Sequence, residues 1–321
     1  MKFNKVVLLG GGVLGTQIAL ISAYTGHDTT IWLRSEDSIT RTEPKIKNYR
    51  EMMLNDIELS KELIKNPLGH LLYPKGLFKS WDGITEEKIE EILKEAKINL
   101  EKNIHIELDL RKALKDADIV IEAMAENVDA KIEMYKLCSD KMDEKTILCT
   151  NTSTLLPSTF ANYTGRAEKY MALHFANEVW RNNTAECMGH AGTDEEIYNR
   201  VVEFAEEINM IPIKLHKEQP GYILNSLLVP LLDAGLDLWV KGVADPEMID
   251  LTWKLATHSP KGPFEIMDIV GLKTVYNISC MKEEAKTTGS LIQKRVAMLK
   301  EKIDKNELGV NSGKGFYNYK K

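Results

Sequence analysis

Two rhythms of apolar and polar residues alternate along the chain. Short β-branched or leucine-rich runs at residues 29–33, 104–108, 118–123, 146–150, 170–175 and 211–215 have the length and composition of buried strands. Residues 5–26 hold both rhythms: a valine and leucine run, a glycine cluster, then a helix with Ile18, Ala19 and Ile21 at helical spacing that ends at Gly26. From about residue 38 to residue 103 the helical period dominates, through Met52, Met53, Ile57, Leu63 and Ile64, and predicts an inserted helical arm. Residues 66–85 interrupt the arm with glycine, proline and aromatic residues. Thr85 then reads as the N-cap of a helix whose Ile89, Ile92, Leu93, Ala96 and Leu100 share one face. Phe78 and Trp81 could line a substrate mouth, but packing against the arm's own helices is the stronger reading, because apolar residues are buried by default.

Beyond residue 194 the pattern predicts a helix to about Asn209, the strand at 211–215, and a junction at Pro220-Gly221. Residues 222–243 are apolar nearly all round, as in a helix buried in a core or a subunit interface. Further helices start near Asp245 and Ser259. The expected architecture is α/β: an N-terminal Rossmann-type doubly wound sheet over residues 1–217, carrying the arm at 38–103, and an all-α domain over 218–321.

Composition narrows the class. With 321 residues, 43% hydrophobic and 28% charged, the chain can bury a large core in two domains. A net charge of −6 gives no reason to expect nucleic acid or an anionic membrane as partner. The N-terminal apolar run turns into glycines rather than a cleavage site, and no 18-residue apolar run is read, so a soluble, cytoplasmic chain is expected. The four cysteines show no C-x-x-C spacing, which favours reduced thiols over disulfides or a zinc site, and no metal is expected.

Candidate chemistry falls at the ends of the predicted strands. Gly10-x-Gly12-Val13-Leu14-Gly15 lies between a strand and a helix: the first glycine makes the turn, the second lets a pyrophosphate approach, and the third packs helix on strand. The second strand ends Leu33-Arg34-Ser35, without the acid that holds the ribose diol of NAD. A guanidinium beside a hydroxyl suits a 2′-phosphate, so the reading leans to NADP over NAD; stacking of Arg34 on the adenine of NAD is the alternative. Glu126 and Lys131 point at the same rim, or else serve as helix cap and surface charge. In residues 145–190, Ser153 follows one strand and His174 ends the next, with Glu186 twelve residues on. A carboxylate against one imidazole nitrogen fixes the tautomer and frees the other for substrate, an acid/base dyad. A satisfied core histidine beside a solvated glutamate is the plainer alternative.

Several stretches in order resemble the L-3-hydroxyacyl-CoA dehydrogenase family, nearest to its bacterial diketoreductase-like members: LGGGVLGTQIA, DADIVIEAMAENVDAK, TNTSTLLPS, ALHFANEVWRNNTAE, PGYILNSLLVPLLDAG, PKGPFEIMDIVGL and GKGFYNY. The resemblance implies that His174 is the general acid/base, Glu186 its orienting carboxylate, Ser153 the residue that binds the substrate hydroxyl, and Asn225 the residue that completes the site. It places Gly10, Gly12 and Gly15 at the pyrophosphate, and Glu126, Lys131, Ser153 and Asn177 near the ribose and nicotinamide. It also implies a homodimer and a small 3-oxo or 3-hydroxy acyl substrate, as a CoA thioester or, in diketoreductase-like members, a CoA-free 3-oxo or 3,5-dioxo ester. Some relatives have become non-catalytic, but the intact set of four site residues argues against that here. There are departures: the common His-Phe-Phe-Asn-Pro reads His174-Phe-Ala-Asn-Glu178, Leu33 replaces the ribose acid, and a cofactor-side lysine falls on Asn311.

Overall fold

The structure is a computed structural model and describes residues 3–319. The chain divides into two compact units, Met1–Tyr222 and Ile223–Lys321. The division falls just past the Pro220-Gly221 pair, a few residues beyond the junction expected at 217/218.

The first unit is built on one eight-stranded sheet in the order β3-β2-β1-β4-β5-β6-β7-β8. Its strands are β1 (Lys5–Leu9), β2 (Asp28–Trp32), β3 (Ile104–Glu107), β4 (Ile119–Glu122), β5 (Ile147–Thr150), β6 (Tyr170–Phe175), β7 (Thr184–Met188) and β8 (Ile211–Leu215). All neighbours are parallel except β6 and β7. Every residue of β4, β5 and β6 is buried, as expected of strands covered on both faces. The chain leaves β1 for β2 on one side and later returns to β4 on the other. That reversal opens the crevice in which doubly wound sheets bind ligands, beyond the carboxyl ends of the strands.

Helix α1 (Val13–Tyr24) follows β1, and α2 (Glu36–Leu63) follows β2 and begins the arm. The arm returns through the helix Glu86–Lys102, capped by Thr85, whose hydroxyl accepts from the Lys88 N–H at 3.3 Å. Ile89, Ala96 and Leu100 of that helix are buried in the same core as Met53 and Ile57 of α2. Phe78 is also buried there, and Trp81 stacks on Tyr73 with centroids 4.6 Å apart, so both aromatics serve the arm's packing.

The second unit is helical. Its long helix, Tyr222–Val240, is shorter than the 222–243 span expected and is not buried all round: Leu227 is 70% exposed. By length and composition this helix could cross a membrane, with mean hydropathy 1.5, which corrects the reading that no apolar run is long enough. Its Asp233 and Asp237, however, both pair with Arg295, a buried residue on the helix Leu291–Asp304.

Candidate active site

The site assembles at the carboxyl ends of β1, β4, β5 and β6. Gly10, directly after β1, has φ +115°, a conformation L side chains rarely adopt, and a Cβ there would meet the Ala123 carbonyl oxygen at 3.0 Å. A Cβ on Gly15 would stand 2.2 Å from the Gly10 carbonyl oxygen, so only glycine lets α1 lie on the turn. Gly12 is the N-cap of α1 and makes no side-chain cap, while Val13 and Leu14 form the first turn. The N–H groups of that turn thus face an open cradle of the kind that holds a pyrophosphate, and these residues fit a dinucleotide. At the end of β2, Leu33 is buried among core residues, so an apolar side chain occupies the position of the usual ribose acid, and Arg34 beside it is exposed.

β6 and β7 are antiparallel with His174 directly opposite Glu186, which places the two side chains on one face of the sheet. The Glu186 Oε2 lies 2.9 Å from His174 Nδ1, and both residues are 4% exposed. A carboxylate only accepts, so Nδ1 carries the hydrogen and Nε2 is the nitrogen left outside the pair. The Ser153 hydroxyl is 3.3 Å from Nε2. Tyr222, the last residue of the first unit, stacks on the imidazole with centroids 4.5 Å apart and planes 13° from parallel. Its backbone has φ +54°, unusual for a bulky residue. Burial first, and then the charges of Glu126, Glu186 and Glu122, push its phenol above the usual range. The plainer alternative of a core histidine beside a solvated glutamate is therefore not what the fold builds.

Glu126 accepts from the Thr152 hydroxyl at 2.7 Å and from the Ser153 N–H at 2.5 Å, so it holds the segment that carries the serine. Lys131 was expected on the cofactor rim, or else as a surface charge, and it is neither exposed nor unpaired: its ammonium is enclosed, 2.7 Å from Glu122 and 3.5 Å from Glu126. Glu122, fully buried at the end of β4, also accepts from the Tyr135 and Thr150 hydroxyls at 2.7 and 2.8 Å and from the Met124 N–H at 2.7 Å. A buried charge needs this many donors. Sequence reasoning missed Glu122, although a glutamate inside the apolar run 118–123 was the available signal.

Asn177 is exposed past the end of β6. Asn225 lies in the first turn of the long helix and belongs to the second unit, so it is not among the residues that the first unit brings together. Two further residues were missed: Tyr222, and Gln17 of α1, whose carboxamide reaches the turn after β6. Taken together, the first unit offers a proton-transfer nitrogen, a hydroxyl beside it, and a dinucleotide cradle on the same rim.

Comparison with known proteins agrees with that chemistry. Residues 75–219 match the family of the 3-hydroxyacyl-CoA dehydrogenase NAD binding domain, and residues 221–319 match the family of its C-terminal domain. The mitochondrial hydroxyacyl-coenzyme A dehydrogenase of Sus scrofa is 30% identical over 99% of this chain and 91% of that protein. The 3-hydroxybutyryl-CoA dehydrogenase of Clostridioides difficile is 28% identical over 99% of this chain and its whole length. A solved diketoreductase, described by its dual catalysis of dicarbonyl compounds, is 43% identical with a TM-score of 0.80, covering 99% of this chain and all of its own. With both of its domains matched in order, the chain belongs to the 3-hydroxyacyl-CoA dehydrogenase family.

Proposed function

We propose that the protein catalyses reversible hydride transfer between a nicotinamide cofactor and a carbon bearing a secondary alcohol or ketone, beta to a thioester or ester carbonyl. The observation that carries this reading is the relay Glu186, His174 and Ser153, with contacts of 2.9 and 3.3 Å. When bound, the cofactor supplies or accepts the hydride at the carbinol carbon. In the reducing direction His174 gives its Nε2 proton to the ketone oxygen, while Glu186 holds the charge and tautomer of the ring and the Ser153 hydroxyl hydrogen-bonds the same oxygen. Oxidation reverses the steps: neutral Nε2 takes the hydroxyl proton. Glu126, Asn177 and the glycine turn seat the cofactor with Arg34 at its adenosine end.

Leu33 and Arg34 support NADP over NAD, because the buried leucine offers no acceptor to a ribose diol and the exposed guanidinium offers donors to a 2′-phosphate. Exposed apolar side chains on the second unit, Leu227, Leu255 and Met281, support a homodimer. A CoA-free 3-oxo or 3,5-dioxo ester is favoured as substrate by the turn after β6. Trp180 Nε1 donates to Asp56 of α2 at 2.7 Å and Arg181 pairs with the same carboxylate at 2.7 Å, while Glu178 and Arg181 stay about 40% exposed. The turn beyond β6 is thus charged where the family's common sequence ends in Asn-Pro, and the likeness to the diketoreductase of dicarbonyl compounds supports the same substrate. The deciding experiment measures cofactor oxidation with acetoacetyl-CoA and with a free 3,5-dioxo ester, each against NADH and NADPH. The ester with NADPH should react fastest, and inactivity with all four pairs would sink the proposal.

A further inference from the structure

Gln17 is 1% exposed on α1, and its carboxamide hydrogen-bonds the turn at residues 177–179. Its Oε1 accepts from the N–H groups of Glu178 and Val179 at 2.8 and 3.3 Å, and its Nε2 donates to Asn177 Oδ1 at 3.0 Å. Backbone N–H groups can only donate, so the carboxamide has one possible orientation. Its Nε2 must then face Asn177, and the atom that receives it must be Oδ1. The two N–H bonds of Asn177 Nδ2 are consequently the ones an exposed Asn177 can offer to a ligand.

The turn itself depends on Glu178, which has φ +57°. The proline common at this place in the family is locked near −65° and has no N–H, so it could neither take this path nor bond to Gln17. The glutamine in α1 and the departure at Glu178 are two halves of one device.

We propose that Gln17 is a positioning residue that sets Asn177 as a hydrogen-bond donor to an acceptor oxygen of the nicotinamide half of the cofactor. The proposal rests on the reading of this rim as the cofactor seat. In a Gln17→Glu variant at pH 9 the carboxylate still accepts both backbone N–H groups but cannot donate, so the Asn177 amide turns over and presents its oxygen to the cofactor. The dissociation constant of NADPH or NADH, followed by fluorescence titration, should rise about tenfold, the loss of one hydrogen bond. Where acid protonates the new carboxyl the donor returns, so the defect should shrink as the pH is lowered through that titration. Asn177→Asp, at an exposed position that leaves folding unaffected, keeps the acceptor for Gln17 and removes the donor to the cofactor, and should show a similar rise at unchanged melting temperature. In the Asn177→Ala background Gln17→Glu should add nothing. Unaltered binding in Gln17→Glu at pH 9 or in Asn177→Asp overturns the proposal, as does a defect that stays constant through the titration of the new carboxyl or one that persists without Asn177. Wild-type protein that binds neither cofactor overturns the underlying reading as well, which separates the two failures.

Discussion

Replacing Glu186 by glutamine isolates the charge of the dyad from its geometry. The amide oxygen can still accept from His174 Nδ1, so the ring keeps its tautomer, but the negative charge beside the imidazolium is gone. Across 2.9 Å and at an effective dielectric of about 20, opposite unit charges attract by roughly 6 kcal/mol. Desolvation of a pair only 4% exposed offsets much of that, and truncating one partner of a buried charge pair costs about 2–5 kcal/mol in practice. Taking about 2–4 kcal/mol as the loss in the step where the ring is charged, kcat should fall roughly 30- to 1,000-fold. The assay is single-turnover reduction of a 3-oxo ester under saturating cofactor, with cofactor affinity measured separately by fluorescence. Affinity should be unchanged, since Glu186 sits behind the ring. A variant that folds normally and loses less than about fivefold would refute the assignment of Glu186 as the residue that stabilises charged His174.

Three other perturbations test the surrounding structure. Glu178→Pro forces a residue at φ +57° to about −65° and deletes the N–H that Gln17 accepts, so it should destabilise the first unit by more than 1 kcal/mol, read from the urea midpoint; an unchanged midpoint would contradict the turn described. Lys131→Met leaves the Glu122 carboxylate buried without its cation and should cost about 3–5 kcal/mol, with part regained in a Lys131→Met/Glu122→Gln pair; additive losses would mean the two do not interact. Asp118 joins the starts of β1 and β4: burial pushes its carboxyl up, but Lys145 and the N–H groups of Lys5 and Asn4 outweigh that and hold it below the usual carboxylate range. Its contribution is therefore complete above about pH 4 and lost as the pH falls through the lowered value. Asp118→Asn should lower stability at pH 7, by about 1–2 kcal/mol, and the gap should close on acidification; a gap constant with pH would refute it.

Much of this was readable before any coordinates, for identifiable reasons. Strands β4, β5 and β6 are short continuous apolar runs because helices or loops cover both faces, and such runs stand out from the helical period. The glycine turn was legible because close approaches at Gly10 and Gly15 leave no room for a Cβ. Glu186 could be named as the partner of His174, yet its register opposite the histidine could not, since pairing depends on where β7 turns back. The enclosure of Lys131 was not legible, because nothing local distinguishes a first-turn lysine in water from one held by the carboxylates of Glu122 and Glu126. Gln17 and Tyr222 act through contacts 160 and 48 residues away in the chain, on Asn177 and His174, and no spacing rule reaches that far. The helix Tyr222–Val240 was read as buried in a core or a subunit interface, and composition alone does not choose between them; residues such as Leu227 stay open within the single chain, so the core does not cover them.

The facing positions of His174 and Glu186 on β6 and β7 have a consequence for how such an enzyme can diversify. Two ladder-paired residues share one backbone frame, so their separation is set by the sheet and not by the residues between them. A register slip of one residue would send one member to the opposite face and abolish the pair outright. The connecting segment 176–183 is held by other contacts, to Gln17 and Asp56, and not by that ladder. Its exposed side chains can change while the proton relay keeps its spacing.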